Sequence, residues 1–322
     1  MHAAVYHEYG NVENLKFEEV AKPVPRDDEV LVRVHAVAIN DWDWQLLLGI
    51  PFVNRMINGL RKPKRTILGL DIAGRVEASG KDAERFKPGD AVYGDISGWW
   101  GGFAEWVCIP EKLLTPKPSC LSFEDAAATS HAANLAVQGL IDRGNMQKGQ
   151  RILINGAGGG VGTFGIQIAK LYGAEVTGVD SEEKLDLMRS SGYDHVIDYR
   201  KEDFTATGKK YDLILDTKTG RPVSAYARAL APNGTYVTVG GELKRIFGGV
   251  VFTGLPVSLI TGKKFRMVGL RQNKDLPYVN KLYEEGKLKP VIDGPYPFSG
   301  LPQQMRRFGA GEHRGKIVLT ME

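Results

Sequence analysis

The glycine-rich stretch GAGGGVG at residues 156–162 is the part of the sequence whose residue types and spacing most directly indicate chemistry. It follows the apolar segment ILIN and opens an apolar periodic stretch that ends at Lys170. Backbone amides at a helix N-terminus bind phosphate, and glycine lets a pyrophosphate come close to them. Strand, glycine turn and helix in this order predict a dinucleotide-binding turn. Its register covers six consecutive residues: Ala157, Gly158, Gly159, Gly160, Val161 and Gly162.

The end of the next predicted strand carries two opposing signals about which dinucleotide is bound. Asp180 stands about 20 residues after the glycine turn, where a carboxylate accepts from the free ribose 2′-hydroxyl of NAD. Ser181, Lys184, Tyr199 and Arg200 offer hydroxyl donors and cations, which suit the 2′-phosphate of NADP. The serine equally fits a helix cap, and the cations equally fit a solvated surface. The residues alone leave both cofactors open.

Two different patterns of secondary structure surround these residues. Short strands predicted at 30–39, 72–79 and 101–110, separated by Gly and Pro turns, indicate a barrel-like antiparallel domain. Residues 122–144 then have the pattern of a helix with a serine N-cap. From residue 151 strands alternate with helices, which predicts βαβ units on a parallel sheet. The tail returns to mixed character, so the α/β block is inserted into a domain made from both ends of the chain.

The bulk composition is that of an ordinary globular protein. The chain has 322 residues, of which 43% are hydrophobic and 25% charged, and this length favours two domains. The net charge of +4 is small for this length, and no apolar run approaches the roughly 20 residues of a membrane span. We therefore expect neither nucleic acid nor a membrane as a partner. Cys108 and Cys120 form no disulfide framework, so we expect a cytoplasmic protein.

The whole chain resembles the zinc-free quinone oxidoreductases of the medium-chain dehydrogenase/reductase superfamily. The order and spacing of many segments carry this resemblance, and no single motif decides it. The segments are LVRVHAVAIN (31–40), LGLDIAG (68–74), FKPGDAVYG (86–94), NGAGGGVG (155–162), SGYDHVIDYRKEDF (191–204), YDLILDT (211–217), PNGTYVTVGG (232–241), GKLKPVID (286–293) and HRGKIVL (313–319).

The resemblance implies an α/β fold with two domains. A Rossmann domain with a doubly wound parallel sheet is expected at 125–265. A GroES-like, β-rich catalytic domain is expected at 1–124 with 266–322. The family implies that the nicotinamide lies in the cleft between the domains and that the protein is a homodimer. Ser181, Lys184 and Tyr199 match the pattern of NADPH users, whereas Asp180 departs from it, so we expect NADPH and keep NADH open.

The resemblance also implies that no metal takes part. Zinc-dependent relatives have a Cys where this chain has Asn40 and a His where it has Leu70, and neither residue here is a zinc ligand. The histidines are scattered without ligand spacing, and His131 is expected to be a surface or satisfied histidine. By resemblance, Asn40 lines the nicotinamide pocket and donates to the substrate oxygen, although a turn-capping role fits it equally. Asp43 is expected to order the adjoining loop.

Backbone groups and two basic residues are further expected to close over the cofactor: Gly240, Gly241, Leu270, Arg271, Arg314 and Lys316.

The expected activity is hydride transfer from NADPH to a quinone or an α,β-unsaturated carbonyl compound. Such acceptors are electron-poor, so orientation of the two reactants can supply much of the acceleration without a metal. One alternative is a reductase of another activated alkene or aldehyde. The other is a nucleotide-binding protein with vestigial activity that acts through partners.

Overall fold

The computed structural model of the protein describes residues 1–241 and 244–321. Glu242 and Leu243, which fall in the predicted Rossmann domain, and Glu322, which ends the predicted catalytic domain, lie outside the described residues. The strands are β1 (His2–Tyr6), β2 (Leu15–Glu19), β3 (Glu29–Ala38), β4 (Asp71–Ser79), β5 (Ala91–Asp95), β6 (Trp106–Pro110), β7 (Thr115–Pro116), β8 (Arg151–Asn155), β9 (Glu175–Asp180), β10 (His195–Asp198), β11 (Tyr211–Asp216), β12 (Leu230–Thr238), β13 (Lys264–Met267), β14 (Ile292–Pro297) and β15 (Lys316–Thr320).

The α-helices alternate with the strands mainly in the middle of the chain. They are α1 (Asp41–Leu48), α2 (Val53–Asn58), α3 (Phe123–Val137), α4 (Gly160–Leu171), α5 (Leu185–Ser190), α6 (Val223–Ala229), α7 (Gly254–Thr261), α8 (Leu276–Glu284) and α9 (Leu301–Gly309). Two π-helices are also present. One, Gln138–Arg143, directly follows α3, and the other, Arg245–Thr253, directly precedes α7. Among the described residues, no helix is both long and apolar enough to cross a lipid bilayer.

The chain divides into two compact units. Unit 1 comprises Met1–His131, Gln272–Glu284 and Pro290–Glu322, and unit 2 comprises Ala132–Arg271 and Glu285–Lys289. The domain boundaries given above from the sequence stay a prediction.

Unit 1 is built on a seven-stranded, largely antiparallel sheet. Its strand order is β14-β15-β3-β4-β5-β7, with β6 also paired to β3, and only the β14–β15 pair is parallel. The apolar side chains of β3, including Val30, Val32 and Val34, are buried in the largest core of this unit. A two-stranded hairpin of β1 and β2 lies outside this sheet. The order places the late strand β15 next to the early strand β3, as expected for a domain made from both ends of the chain.

Unit 2 is built on a six-stranded parallel sheet of order β10-β9-β8-β11-β12-β13. In chain order this is the 3-2-1-4-5-6 arrangement of dinucleotide-binding folds, in which β8 is the first strand. The strands are buried apolar runs, such as Ile152–Ile154 in β8, because helices cover a parallel sheet on both faces. The predicted α/β sheet is therefore confirmed.

Several elements differ from the sequence prediction in type or extent. Helix α1 follows β3 directly, whereas the sequence analysis assigned Asn40 and Asp43 to the loop after a strand. The predicted helix at 122–144 begins with its serine cap as expected, because Ser122 Oγ accepts from the Asp125 N–H at 3.0 Å. It then changes to a π-helix for its last six residues. Strands β1, β2, β7, β13 and β14 were not predicted.

The start of α1 depends on Asp43, whose side chain is fully buried. One carboxylate oxygen accepts from the Asn40 N–H at 3.0 Å and satisfies an amide at the helix entrance. The other accepts from the Gly69 N–H at 2.9 Å, which ties α1 to the chain just before β4. Burial raises the pKa of Asp43 to about 7, against the opposing effect of these two hydrogen bonds. A carboxyl group that is ionised in the unfolded chain is thus partly protonated in the folded protein near neutral pH.

Asp43 is expected to make folding stability fall as the pH rises. Its folded-state pKa is raised, so its contribution is fully present below the pKa of the unfolded chain, near 4, and is lost as the pH rises through about 7. In urea titrations between pH 5 and pH 8, the stability of wild type relative to Asp43→Asn should therefore decline by a few kcal/mol. Asp28→Asn, at an exposed carboxylate, is the matched control, and its free energy of unfolding should change with pH in the same way as that of wild type. A constant difference between wild type and Asp43→Asn across this range would contradict the assignment.

Candidate functional site

The glycine turn in unit 2 joins β8 to α4. Gly156 has a φ of +84°, and a Cβ on it would lie 2.0 Å from Thr217 Oγ1, so no other residue fits there without strain. A Cβ on Gly162 would lie 2.4 Å from the carbonyl oxygen of Ala157, which shows how closely the first turn of the helix packs on the loop. The predicted strand, turn and helix are all present.

The N-terminus of α4 offers free amide donors. The helix begins at Gly160, and the first N–H groups of a helix have no partner within it. The Gly160 and Val161 amides lack an acceptor among residues 1–241 and 244–321, and both residues are half-buried. These two amides, together with the helix dipole, form an arrangement that can bind a pyrophosphate.

The amide of Gly158 is used differently. It donates to Asp180 Oδ2 at 2.9 Å, and a Cβ on Gly158 would lie 2.8 Å from the side chain of Lys184. The turn is therefore attached to the end of β9, and Gly158 contributes close packing rather than a free donor.

Asp180 and Lys184 form a buried ion pair at the end of β9. The Nζ of Lys184 lies 3.5 Å from Asp180 Oδ1, and the Ser181 N–H donates to the same oxygen at 2.9 Å. Burial lowers the pKa of Lys184, and the charge of Asp180 acts in the opposite direction. Asp180, which indicated NAD, and Lys184, which indicated NADP, are thus direct partners, and each compensates the charge of the other.

The other predicted residues near the ribose end are exposed. Tyr199 is half exposed, and the Arg200 guanidinium lies over its ring with 5.7 Å between the carbon Cζ and the ring centroid. Arg200 also pairs with Glu183, with Arg200 Nη1 at 3.0 Å from Glu183 Oε1. The cation therefore already has a carboxylate partner.

Backbone groups make the contacts that the structure shows for Gly240 and Arg271, which with Gly241 and Leu270 are the remaining predicted residues of unit 2. The Gly240 carbonyl accepts from Thr219 Oγ1 at 2.6 Å. Gly241 has a φ of +120°, where a Cβ would lie 2.2 Å from the Lys218 carbonyl oxygen. Leu270 is half-buried, and the backbone of Arg271 exchanges two hydrogen bonds with the side-chain amide of Gln138.

A cluster of polar side chains in unit 1 surrounds the fully buried carboxylate of Asp71 at the start of β4. Asp71 Oδ1 accepts from Ser130 Oγ at 2.7 Å and from the His131 N–H at 2.9 Å. Asp71 Oδ2 accepts from Asn40 Nδ2 at 3.0 Å and from Lys316 Nζ at 2.8 Å. We call these residues the Asp71 cluster. Three separate segments of the chain thus supply four donors to one carboxylate.

The cluster gives Asn40 and Lys316 surroundings that the sequence did not predict. Asn40 Nδ2 also donates to the Ala38 carbonyl at 3.2 Å, so both amide hydrogens already have acceptors. The Asn40 Oδ1 atom accepts from Lys316 Nζ at 2.5 Å. Lys316, expected in a turn over the cofactor, is therefore a buried cation within unit 1. Arg314 keeps an exposed side chain, and its N–H donates to Asp293 Oδ2 at 3.0 Å.

The buried acids Asp71 and Asp95 and the environment of His131 were not predicted from the sequence. The His131 Nδ1 atom lies 2.7 Å from Asp95 Oδ2, where Asp95 is fully buried at the end of β5. Two acids at strand ends within otherwise apolar segments, LGLDIAG and AVYGD, were the available signal. An acid in such a position needs buried donors, which predicts a polar cluster even when its partners are distant in sequence.

The described residues, 1–241 and 244–321, contain no group of three or more His, Cys, Asp or Glu side chains that could hold a metal ion.

Two family models match this chain. Residues 26–119 match the alcohol dehydrogenase GroES-like domain, and residues 191–319 match the family described as zinc-binding dehydrogenase. The first match covers much of unit 1, and the second covers the later part of the parallel sheet and the return to unit 1. The predicted GroES-like half is thereby confirmed.

Two curated relatives match over nearly the whole chain. The 2-methylene-furan-3-one reductase of Solanum lycopersicum is 35% identical over 331 residues, which cover 99% of this chain and 79% of the relative. The NADPH-dependent alkenal/one oxidoreductase of Arabidopsis thaliana, a chloroplastic protein, is 33% identical over the same shares of the two chains.

A solved structure shares the fold over its full length. The quinone oxidoreductase from Coxiella burnetii superposes with a TM-score of 0.86 at 26% identity, covering 100% of this chain and 99% of the other. Its likeness extends over both units, as do the matches to the curated relatives. The chain therefore belongs to the quinone oxidoreductase-like family of the medium-chain dehydrogenase/reductase superfamily.

Proposed function

We propose that this protein is an oxidoreductase that transfers a hydride from NADPH to a quinone or an α,β-unsaturated carbonyl compound. The observation that carries the proposal is the match of the whole chain to relatives named for the reduction of alkenals, enones and a methylene-furanone. The glycine turn of unit 2, with its free amides at α4, supports the nucleotide part of the proposal independently.

The residues of unit 2 fit a dinucleotide. Side chains are excluded where the turn approaches α4, and the Gly160 and Val161 amides supply donors for a pyrophosphate. When bound, the nicotinamide supplies the hydride. We propose that the glycine turn, Ser181, Lys184 and Tyr199 hold the nucleotide, and that the Gly240, Gly241, Leu270 and Arg271 backbone closes over it.

We propose that the reaction needs no zinc. The ammonium of Lys316 lies against Asn40 Oδ1 and Asp71 Oδ2, so a positive charge already compensates this buried carboxylate. A divalent cation bound beside it would be repelled in a poorly solvated interior. Leu70, the neighbouring position, is fully buried and apolar. Asn40 and Asp43 then act as positioning residues, which hold the end of β3 and the start of α1 in place.

Conjugated acceptors suit a site without zinc because their reduction needs little activation by a Lewis acid. The charge that arrives with the hydride spreads over an enolate or a hydroquinone anion, so orientation and a dry site supply much of the acceleration. A simple ketone concentrates that charge on one oxygen, which favours enzymes that use a metal as Lewis acid.

The purified protein should oxidise NADPH with quinones and enones but not with simple ketones. Loss of nicotinamide absorbance measures turnover with each acceptor, and elemental analysis of the same sample measures zinc. Activity should survive treatment with a chelator. Turnover with ketones alone, or a stoichiometric zinc requirement, would contradict the proposal, and NADPH binding without turnover on any acceptor would indicate a binding protein instead.

NADPH preference rests on the cation of Lys184. Its pairing with Asp180 reduces the net charge near the expected 2′-phosphate, and removing either partner changes this balance in opposite directions. Asp180→Asn is the better variant for the acid, because an amide oxygen can still accept from the Gly158 N–H. Removing the whole side chain would also release the glycine turn.

In calorimetric titrations, Lys184→Ala should weaken NADPH binding about 10-fold or more and leave NADH binding less affected, since it removes a charge-assisted contact. Asp180→Asn should shift the ratio of the two dissociation constants toward NADPH. Lys209→Ala, at another lysine of unit 2, serves as the charge-matched control. Unchanged ratios in both variants would show that the phosphate is recognised elsewhere.

We propose that the protein is a homodimer joined through the edge of the parallel sheet. Strand β13 lies at that edge, and no further strand among the described residues pairs with its outer side. Leu259 and Ile260 on α7 are strongly exposed in the same unit. Light scattering should therefore give twice the chain mass of 35.4 kDa, and a monomeric mass would contradict the proposal.

We propose a cytoplasmic location. Cys108 and Cys120 are both unpaired, which suits a reducing compartment.

A further inference from the structure

His131 belongs to the Asp71 cluster through its backbone N–H, and its titratable side chain has no part in the proposed function. It lies on α3, and its ring and its backbone are fixed separately. Nδ1 lies 2.7 Å from Asp95 Oδ2, and the backbone N–H donates to Asp71 Oδ1 at 2.9 Å. The imidazole therefore has a defined position and orientation.

Asp95 is itself held in place, so it can fix the ring. Its Oδ1 accepts from the Ser97 N–H at 2.7 Å, which leaves Oδ2 for the imidazole. Its backbone N–H and carbonyl both bond the side-chain amide of Asn273. A carboxylate held against Nδ1 keeps a proton on that nitrogen in both charge states of the ring. Any proton exchanged by His131 then passes through Nε2.

The Nε2 atom is the free end of this arrangement. No residue within 1–241 or 244–321 lies at hydrogen-bond distance from it, although the side chain is only 17% exposed. Here one nitrogen is buried against a carboxylate and the other is accessible, which is the arrangement of an oriented proton donor.

The charges around His131 favour its protonated form. Burial lowers the pKa of the ring, but the Asp95 carboxylate on β5 and the Asp71 carboxylate on β4 outweigh it, so that the pKa is raised overall. The ammonium of Lys316 on β15 acts in the opposite direction. The same contact lowers the pKa of Asp95. Both shifts favour the pair of an imidazolium and a carboxylate over the pair of neutral groups.

We propose that His131 is the proton donor of the reduction and that Asp95 is its positioning residue. The proposal rests on the proposed function and adds a catalytic group that touches the substrate through Nε2. In an enone, a hydride from NADPH, which would be oxidised to NADP⁺ as its own C–H bond breaks, forms a C–H bond at the β-carbon and sends the alkene electron pair toward the carbonyl oxygen. The Nε2–H bond then breaks, an O–H bond forms, and the electron pair stays on Nε2.

The charges balance over this step. The substrate gains a hydride and a proton, the ring becomes neutral, and Asp95 remains ionised. The enol product tautomerises in water, and a solvent proton restores the imidazolium. A quinone follows the same pattern, since the proton neutralises the hydroquinone anion.

The first test needs neither cofactor nor substrate. Titration of the histidine ring signals by nuclear magnetic resonance in the ligand-free protein, with His131→Gln assigning the resonance, should give a raised pKa for His131. Asp95→Asn should lower that pKa by at least one unit, because the attracting charge is lost. A His131 pKa that does not move in Asp95→Asn would overturn the positioning role.

The second test is the pH dependence of enone reduction. Wild type should lose activity as the pH rises through the pKa of His131, and Asp95→Asn should shift this limb to lower pH. His131→Gln should lower kcat about 100-fold or more, as is typical for loss of a general acid, and abolish the limb. His7→Gln, at a surface histidine whose Nε2 lies 3.0 Å from Glu18, is the matched control and should behave as wild type.

Two further measurements separate the possible failures. NADPH binding by His131→Gln, measured by calorimetry, shows whether the variant is folded. If it is not folded, the pH profile of enone reduction by Asp95→Asn decides whether His131 is the proton donor. Full activity of His131→Gln with an unchanged pH limb would overturn the inference while leaving the proposed function intact. A wild-type protein that reduces no conjugated acceptor would instead overturn the proposed function itself.

Discussion

The buried carboxylate of Asp71 is the interaction on which unit 1 depends most. A charge removed from water needs compensation from several donors, and here they come from α3, from the residue before α1 and from β15. Removing one partner of such a buried pair typically costs about 3–5 kcal/mol, because the other charge is left uncompensated. The carboxylate thus fixes where these elements meet, and with them the histidine that adjoins it.

Unit 2 depends on a constraint of space rather than charge. Gly156 and Gly162 occupy positions where backbone or side-chain atoms come within 2.0 Å and 2.4 Å of a Cβ, so the turn can form only with glycine there. The Gly160 and Val161 amides lack an acceptor among residues 1–241 and 244–321, because the first amides of a helix have no partner within it. The strand, the turn and the helix together thus present donors that can bind an anion.

The glycine turn and the parallel sheet could be predicted because their signals are local. Periodicity, turn residues and the order of strand and helix all lie within short windows of sequence, and the βαβ pattern follows from them. Helix α1 was missed although its capping contact between Asn40 and Asp43 is local, and only the second bond of Asp43, to Gly69, is distant in sequence. The ambiguity at the end of β9 arose because the sequence cannot show that Asp180 and Lys184 neutralise each other.

The polar cluster escaped prediction for the same reason. His131 and Asp95 are 36 positions apart, and Lys316 and Asp71 are 245 positions apart. Strand pairing and the packing of α3 against β4 and β5 bring these residues together, so a scan for motif spacing finds only isolated residues. The acids at the ends of apolar strands were visible in the sequence, but the residues that would compensate them were not.

The position of β15 has a consequence for biosynthesis. This strand pairs with β3, formed by residues near the start of the chain, and carries the ammonium that compensates Asp71. On the ribosome, residues 132–271 of unit 2 emerge long before β15 does. A nascent chain that lacks β15 therefore leaves the end of β3, from Ala36 to Ala38, without this partner strand and Asp71 without its cation. Maturation of unit 1 must wait for nearly the whole polypeptide, while the inserted unit already has its complete set of strands.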